Sequence, residues 1–313
     1  MERLLTTQEV ADRLSVDTKT VLRYLRSGKL KGSRIGRDWK IPEGALTTLL
    51  ARTANTAVPE RTAIITAIVN QKGGVGKSTT TFNLGAALSR LDKRVLLVDM
   101  DPQAALTASA GIPVAKLTTS IYDALLDDKL DPLPIIHGSV SGPDVFPATL
   151  DLSAAEIELV NMTLRELILR EVLNKLRPRY DHILIDCPPS LGLLTVNALA
   201  ASDRVIIPME CDFLAMRGLS LLMRTLAKIQ DRLNRDLQVT GILATKFDAR
   251  TTHAREVLSE LQANFPGLVF DVIIRTAVAL KESPAAGLSI FDYDPRHEVA
   301  AAYLKLAEEV ANA

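Results

Sequence analysis

Aromatic residues are scarce, 4% of 313 positions with a single Trp. The core must be built from Leu, Ile, Val and Ala, and a chain of this length buries enough of them without disulfides. Cysteine is scarcer still. Cys187 and Cys211 are the two present, and no Cys-x-x-Cys occurs, which excludes a zinc ribbon or a cysteine-ligated cluster within one chain. Two buried thiols in a reducing compartment are expected. His137, His182, His253 and His297 form no metal-spaced pair. No apolar run reaches the ~18 residues of a membrane span. Met1–Val10 carries Glu2 and Arg3 where a secretory leader has an apolar stretch. Tyr303–Ala313 is acidic, unlike a basic amphipathic membrane anchor. A cytoplasmic protein with no membrane role is expected.

Net charge is also missing, since 37 Lys and Arg balance 37 Asp and Glu. With 47% hydrophobic and 24% charged residues, the composition is that of a globular protein. The charge is unevenly spread. Residues 1–50 hold ten basic and six acidic side chains, net +4, and the remainder is net −4. A basic head points weakly to nucleic acid. Residues 51–61, Ala-Arg-Thr-Ala-Asn-Thr-Ala-Val-Pro-Glu-Arg, have no periodic apolar face and read as a linker to a body spanning 62–313.

The head reads as a winged helix-turn-helix. Thr7 is placed as the cap of a helix whose apolar face is Val10, Ala11 and Leu14. Ser15-Val16-Asp17 makes the turn, and Thr18–Arg26 forms a second helix with Val21, Leu22 and Leu25 inward. Leu30–Ile41 reads as two short strands around a Gly36-Arg37-Asp38 turn, and Gly44–Leu50 as a further helix. Thr7-x-Glu-Val-Ala11 and Gly36-Arg-x-Trp-Lys-Ile-Pro42 resemble the excisionase/MerR-type winged DNA-binding domain. That resemblance implies that the second helix enters a major groove. It makes Lys19, Thr20, Arg23 and Tyr24 base readers or phosphate contacts, and Arg34, Arg37 and Lys40 wing contacts.

The body opens with a continuous apolar run, Ala63–Val69, as expected of a buried parallel strand. It feeds into Asn70-Gln-Lys-Gly-Gly-Val-Gly-Lys-Ser-Thr79 and then a helical run to about Leu91. Strand, Gly-rich loop and helix form a phosphate cradle. Gly73, Gly74, Val75 and Gly76 offer backbone N–H groups, Lys77 neutralises phosphate charge, the Ser78 hydroxyl suits Mg2+, and Thr79 is within reach of an α-phosphate. Gln71 stands where the strict loop has its first Gly, so this is the variant with an additional cation, Lys72. Two cations in one phosphate loop repel unless an anion is bound. Arg94–Val98 is a second buried strand ending in Asp99-Met-Asp101, and Asp181–Ile185 a third ending in Asp186-Cys-Pro-Pro. Acids at such strand ends lie where open α/β sheets place ligands, and Asp186 has the position of a Mg2+-holding acid. Asp99 is expected to be a structural hydrogen-bond partner. Further strands at Asp203–Pro208 and Val239–Thr245, with helices between, give a doubly wound, mostly parallel sheet.

Residues 62–313 resemble the ParA/MinD-type ATPases with the deviant Walker A loop, most of all the ParA partition branch. The resemblance runs through the phosphate loop, Leu96-Leu-Val-Asp-Met-Asp-Pro-Gln103, Phe146-Pro-Ala-Thr-Leu-Asp-Leu152, Tyr180–Thr195, Lys246-Phe-Asp-Ala-Arg-Thr251 and Leu280-Lys-Glu-Ser-Pro-Ala-Ala-Gly287. It implies ATP and Mg2+ as ligands and a homodimer formed face to face on ATP binding. Lys72 would reach the nucleotide of the second subunit, with Lys77 and Asp101 catalytic and Ser78, Asp101 and Asp186 at the metal. It also implies nucleoid association, non-specific DNA binding through Arg250, Arg255, Arg275 and Lys281, and a ParB-like or cargo-adaptor partner that stimulates hydrolysis. The family departures are Arg275, Ala277 and Ala279. A second reading is a nucleotide-switched transcriptional regulator that recognises an operator through its head. A third, a relative that loads metal clusters or transfers electrons, is opposed by the lack of paired cysteines.

Overall fold

The computed structural model describes residues 4–14, 18, 21, 25, 32–35, 38–42, 44, 63–212 and 215–312. They fall into two compact units, residues 1–60 and 61–313.

In the first unit, β1 (Leu4–Leu5) leads into α1 (Thr7–Leu14). The cap lies one residue before the expected Thr7. The Thr6 hydroxyl accepts the Glu9 N–H at 3.2 Å, and the Glu9 carboxylate accepts the Thr6 N–H at 2.8 Å. This is a reciprocal capping box, and it satisfies two N–H groups that the helix itself cannot. Val10 and Ala11 are buried, as are Val21 and Leu25. β2 (Ser33–Ile35) and β3 (Asp38–Pro42) form the expected hairpin. Ile35 faces Asp38 in the register, so Asp38 opens the return strand and does not belong to the turn. β1 adds antiparallel to β3, a third strand too short to read from two leucines.

The second unit is one eight-stranded sheet between helices. Labelling helices of at least eight residues, its elements are β4 (Ile64–Ile68), α2 (Lys77–Arg90), β5 (Val95–Asp99), β6 (His137–Gly138), β7 (Asp144–Phe146) and β8 (His182–Asp186). They continue as α3 (Leu193–Ala201), β9 (Arg204–Glu210), α4 (Ala215–Arg232), β10 (Gln238–Phe247), α5 (Thr252–Asn264), β11 (Val269–Arg275) and α6 (Glu298–Asn312). The strand order is β11-β10-β9-β4-β8-β5-β7-β6. Every pairing is parallel except β6 against β7. The doubly wound sheet expected from the sequence is therefore present. β6, β7 and β11 are strands that the sequence reading does not predict.

Alternation along the strands divides the core into two layers. Leu96, Val98, Ile183 and Ile185 face one side with Leu173, Leu194 and Leu226. Leu97 and Leu184 face the other with Leu84, Leu88, Tyr303 and Leu306. Both faces are covered, which is why the strands read as unbroken apolar runs. The apolar face of α6 is spent on α2 and β11, with Val299, Tyr303, Leu306 and Val310 buried. Among the described residues no helix is long and apolar enough to cross a membrane. The strands that carry the phosphate loop and the two acids, β4, β8 and β5, lie side by side at the middle of the sheet.

Candidate nucleotide site

The phosphate loop begins where β4 ends. Gly74 and Gly76 have φ of 75° and 89°, left-handed values that a Cβ would strain. Those turns bring the loop into α2, whose first residue is Lys77. The positive end of a 14-residue helix thus meets the loop's N–H groups, an arrangement that favours phosphate. The loop is anchored from both neighbours. The Thr245 hydroxyl of β10 donates to the Val75 carbonyl at 2.7 Å. Asn70 donates from Nδ2 to the Pro208 carbonyl of β9 at 2.8 Å and accepts the Lys72 N–H at 3.0 Å.

A cavity of about 770 Å3 opens above the loop, in the range of sites for small ligands. Gly73, Gly74, Gly76, Lys77, Ser78 and Thr79 line it, with Asp101 across from them. Val75 is fully buried and takes part through its backbone. Lys77 is also buried, at 7% exposure, and its Nζ donates to the Lys72 carbonyl at 3.3 Å. Burial pulls its ammonium below the ordinary range, and Asp186 works against that pull. A buried cation facing an open cavity is poised to take an anion.

The strand-end acids divide sharply. Asp99 and Asp186 face one another in register, and neither is exposed. Asp99 accepts the Thr107 hydroxyl at 2.6 Å, the Thr107 N–H at 2.9 Å and the Asp101 N–H at 3.1 Å. Burial lifts it to about 6, and the Thr107 bonds restrain the rise. Among the described residues, neither Asp186 oxygen has a partner in hydrogen-bonding geometry. Burial and the neighbouring Asp99 push it well above the carboxylate range, opposed by the Ser78 hydroxyl and Lys77. An orphaned buried carboxylate beside a hydroxyl at a phosphate loop fits a hydrated Mg2+. Ser78 and Asp186 are the residues that would hold it. Asp101 is half-buried, lines the cavity, and steadies its own loop by accepting the Gln103 N–H at 3.0 Å.

Lys72 does not line this cavity. Its ammonium pairs with Glu210 at 3.2 Å and with Asp212. Partial burial works against the charge, but the two carboxylates outweigh it and hold the pKa above the ordinary lysine range. The two carboxylates therefore offset the repulsion between Lys72 and Lys77 without a bound anion, an arrangement the loop sequence does not reveal.

The DNA candidates separate as well. Lys19, Thr20, Arg23, Tyr24 and Arg37 lie outside the described residues. Arg34 is in β2 and Lys40 in β3. Arg250 is exposed but paired to Asp248 at 2.8 Å, and Arg255 reaches the Thr252 hydroxyl at 3.3 Å. Arg275 pairs with Glu298 at 3.2 Å, and both it and Lys281 line the nucleotide cavity. Sequence reasoning gave no role to Thr245, Lys246, Glu210 and Tyr303, which also line it. Lys246 lay inside a recognised motif. Its backbone φ of 49°, a strained value for a side-chain-bearing residue, marks it now. Cys187 and Cys211 are free and buried, as expected, and burial pushes Cys211 up to about 11.

Known proteins agree with this geometry. A family model described as an AAA domain matches residues 63–239, and one described as a helix-turn-helix domain matches residues 4–54. The sporulation initiation inhibitor protein Soj of Bacillus subtilis is 49% identical over 248 residues, 79% of this chain and 98% of Soj. The chromosome partitioning protein ParA of Myxococcus xanthus is 46% identical over 79% of this chain and 87% of its own. A crystal structure of cobyrinic acid a,c-diamide synthase from Mycobacterium smegmatis with ADP and magnesium superposes with a TM-score of 0.70 at 37% identity, over 79% of this chain and 93% of that one. With a glycine-rich loop on β4, acids on β5 and β8, and relatives of this closeness, the chain belongs to the ParA/MinD-type family of P-loop ATPases and carries an N-terminal helix-turn-helix unit.

Proposed function

We propose that this protein is a partition or positioning ATPase whose ATP-bound form is a face-to-face dimer. ATP with Mg2+ occupies the 770 Å3 cavity, its phosphates on the loop from Gly73 to Thr79 and its metal at Ser78 and Asp186. Lys77 neutralises the phosphates. Asp101, on the cavity wall, positions the attacking water. Phosphoryl transfer needs charge neutralisation and positioning more than covalent chemistry. The dimer binds DNA, and a ParB-like or cargo-bound protein triggers hydrolysis and release.

The observation that carries this reading is Lys72. A phosphate-loop lysine that does not line its own cavity, its ammonium held by Glu210 and Asp212, is available to a nucleotide in another subunit. The test is sedimentation velocity with Mg2+ and a non-hydrolysable ATP analogue. Lys77→Ala should bind no nucleotide, and Lys72→Ala should bind it but stay monomeric. A dimer of the Lys72→Ala chain would sink the reading.

A second reading, a nucleotide-switched DNA-binding regulator, has its own support. Arg250 and Arg275, two of the four body residues assigned to DNA, are each paired with an acid of their own unit. The head carries the excess of positive charge. Titrating random duplex DNA with the full chain and with residues 58–313, each with ATP and ADP at two salt concentrations, separates the two. ATP-dependent binding by the shorter chain supports positioning. Binding by the full chain alone, whatever the nucleotide, supports the regulator, because phosphate contacts dominate such affinity.

A further inference from the structure

The tip of β9 carries an acidic pair to which the family motifs assign nothing. Glu210 is the last residue of the strand, and the Asp212 N–H donates to the Glu210 carbonyl at 2.9 Å. That tight turn brings two carboxylates to one side. Lys72 donates to Glu210 Oε2 at 3.2 Å and to Asp212 Oδ2. The three side chains are 42%, 35% and 36% exposed, so the pairs are partly shielded. The second oxygen of Asp212, Oδ1, is buried with no partner among the described residues. The backbone supports the same geometry. Asn70 fixes the Lys72 N–H and ties the loop to Pro208, two residues before Glu210. The Lys72 carbonyl faces Lys77. The Lys72 carbonyl is thus tied to Lys77 and its ammonium to the tip of β9.

We propose that Glu210 and Asp212 are positioning residues that dock Lys72 in the free subunit and thereby set the threshold for ATP-dependent dimerisation. The proposal rests on the reading that Lys72 acts on a second subunit's nucleotide. Two carboxylates hold one ammonium, so the dock is net negative and competes with a phosphate group for the same cation. ATP brings more negative charge and wins the lysine once two subunits face each other. ADP lacks the outer phosphate and leaves the lysine docked. A two-fold dimer has to open two docks, each of two pairs. Partly exposed pairs are individually weak, so the sum opposes association by on the order of tenfold.

The test is a double-mutant cycle in the full chain. Glu210→Gln with Asp212→Asn keeps the shapes and removes the charges. Dimerisation is followed by sedimentation velocity with Mg2+ and a non-hydrolysable ATP analogue. Affinity for a fluorescent analogue is measured at protein concentrations below dimerisation. The double variant should dimerise at about tenfold lower protein concentration, and the gain over the parent chain should shrink as salt rises. Glu210 lines the cavity, so its neutralisation also changes the monomer's nucleotide affinity directly. That change should be the same with Lys72→Ala, whereas the shift in dimerisation should require Lys72. If the double variant dimerises no more readily than the parent chain while Lys72→Ala stays monomeric, the dock is overturned and the intersubunit role of Lys72 survives. If Lys72→Ala dimerises normally, the parent reading falls and the dock falls with it. Glu210→Gln alone, with its melting temperature measured, guards against a folding defect.

Discussion

The tips of β5 and β8 are neighbours with the same residue type and opposite fates. Asp99 and Asp186 share a register position and are equally buried. Asp99 is saturated by Thr107 and by the Asp101 N–H, and it fixes the loop that carries Asp101. Asp186, with the Ser78 hydroxyl and Lys77 nearby, has no partner in hydrogen-bonding geometry on either oxygen among the described residues. Both buried carboxylates resist ionisation, and the hydrogen bonds to Asp99 offset part of a cost that Asp186 bears without them. The difference separates an acid that holds its own loop from an acid with the capacity to take a ligand. Burial alone does not tell them apart; the partner count does.

Four substitutions test that contrast, the largest effect first. Lys77→Ala removes the cation that opposes the rise at Asp186, and nucleotide binding should vanish in titration calorimetry. Asp186→Asn should lower Mg2+-dependent ATP turnover by roughly 10^2–10^3, as expected when one preorganised charge is lost. In the nucleotide-free chain the same change should raise the melting temperature, and more at pH 8 than at pH 5. The sign follows from the raised carboxyl. Far below its ordinary value of 3.8 it is protonated in both folded and unfolded chains. As pH rises, the unfolded chain ionises freely while the folded one resists, so the native carboxyl weakens the fold progressively. A flat difference across that range would show that Asp186 is not held in a raised state. Asp101→Ala should cut hydrolysis by roughly 10^2 or more and leave an ATP-bound dimer on a sizing column. Normal turnover would remove Asp101 from the chemistry. Asp99→Asn should leave nucleotide affinity nearly intact and cost about 1–3 kcal/mol in urea unfolding. If it abolished binding at unchanged stability, the assignment of the two acids would be reversed.

The parts of this site that could be read from sequence are those written locally. An apolar run ending in Asp, a Gly-rich loop after a strand, and a helix after the loop are each contained in about ten residues, and each was found within one or two positions. The parts that could not be read are contacts between distant segments. Lys72 and Glu210 are 138 residues apart, and Thr80 meets the Tyr303 hydroxyl across 223. Neither Glu210 nor Tyr303 has a periodic or compositional mark of its own. Arg275 and Lys281 were assigned to DNA because they are basic and belong to a recognised segment, yet the fold turns both to the nucleotide cavity. Charge was legible there, and direction was not. β6, of two residues, and β7, of three, are too short for strand periodicity to register.

The smallest of those strands has a consequence for assembly. β6 closes one side of the sheet, is two residues long, and runs against its neighbour. A brief, reversed border offers few unpaired amides to a stranger. A long parallel sheet can otherwise be extended by any chain able to add a strand. On that side the protein is protected from growing rung by rung into a fibre, so a second chain meeting it there would have to do so through loops and helices.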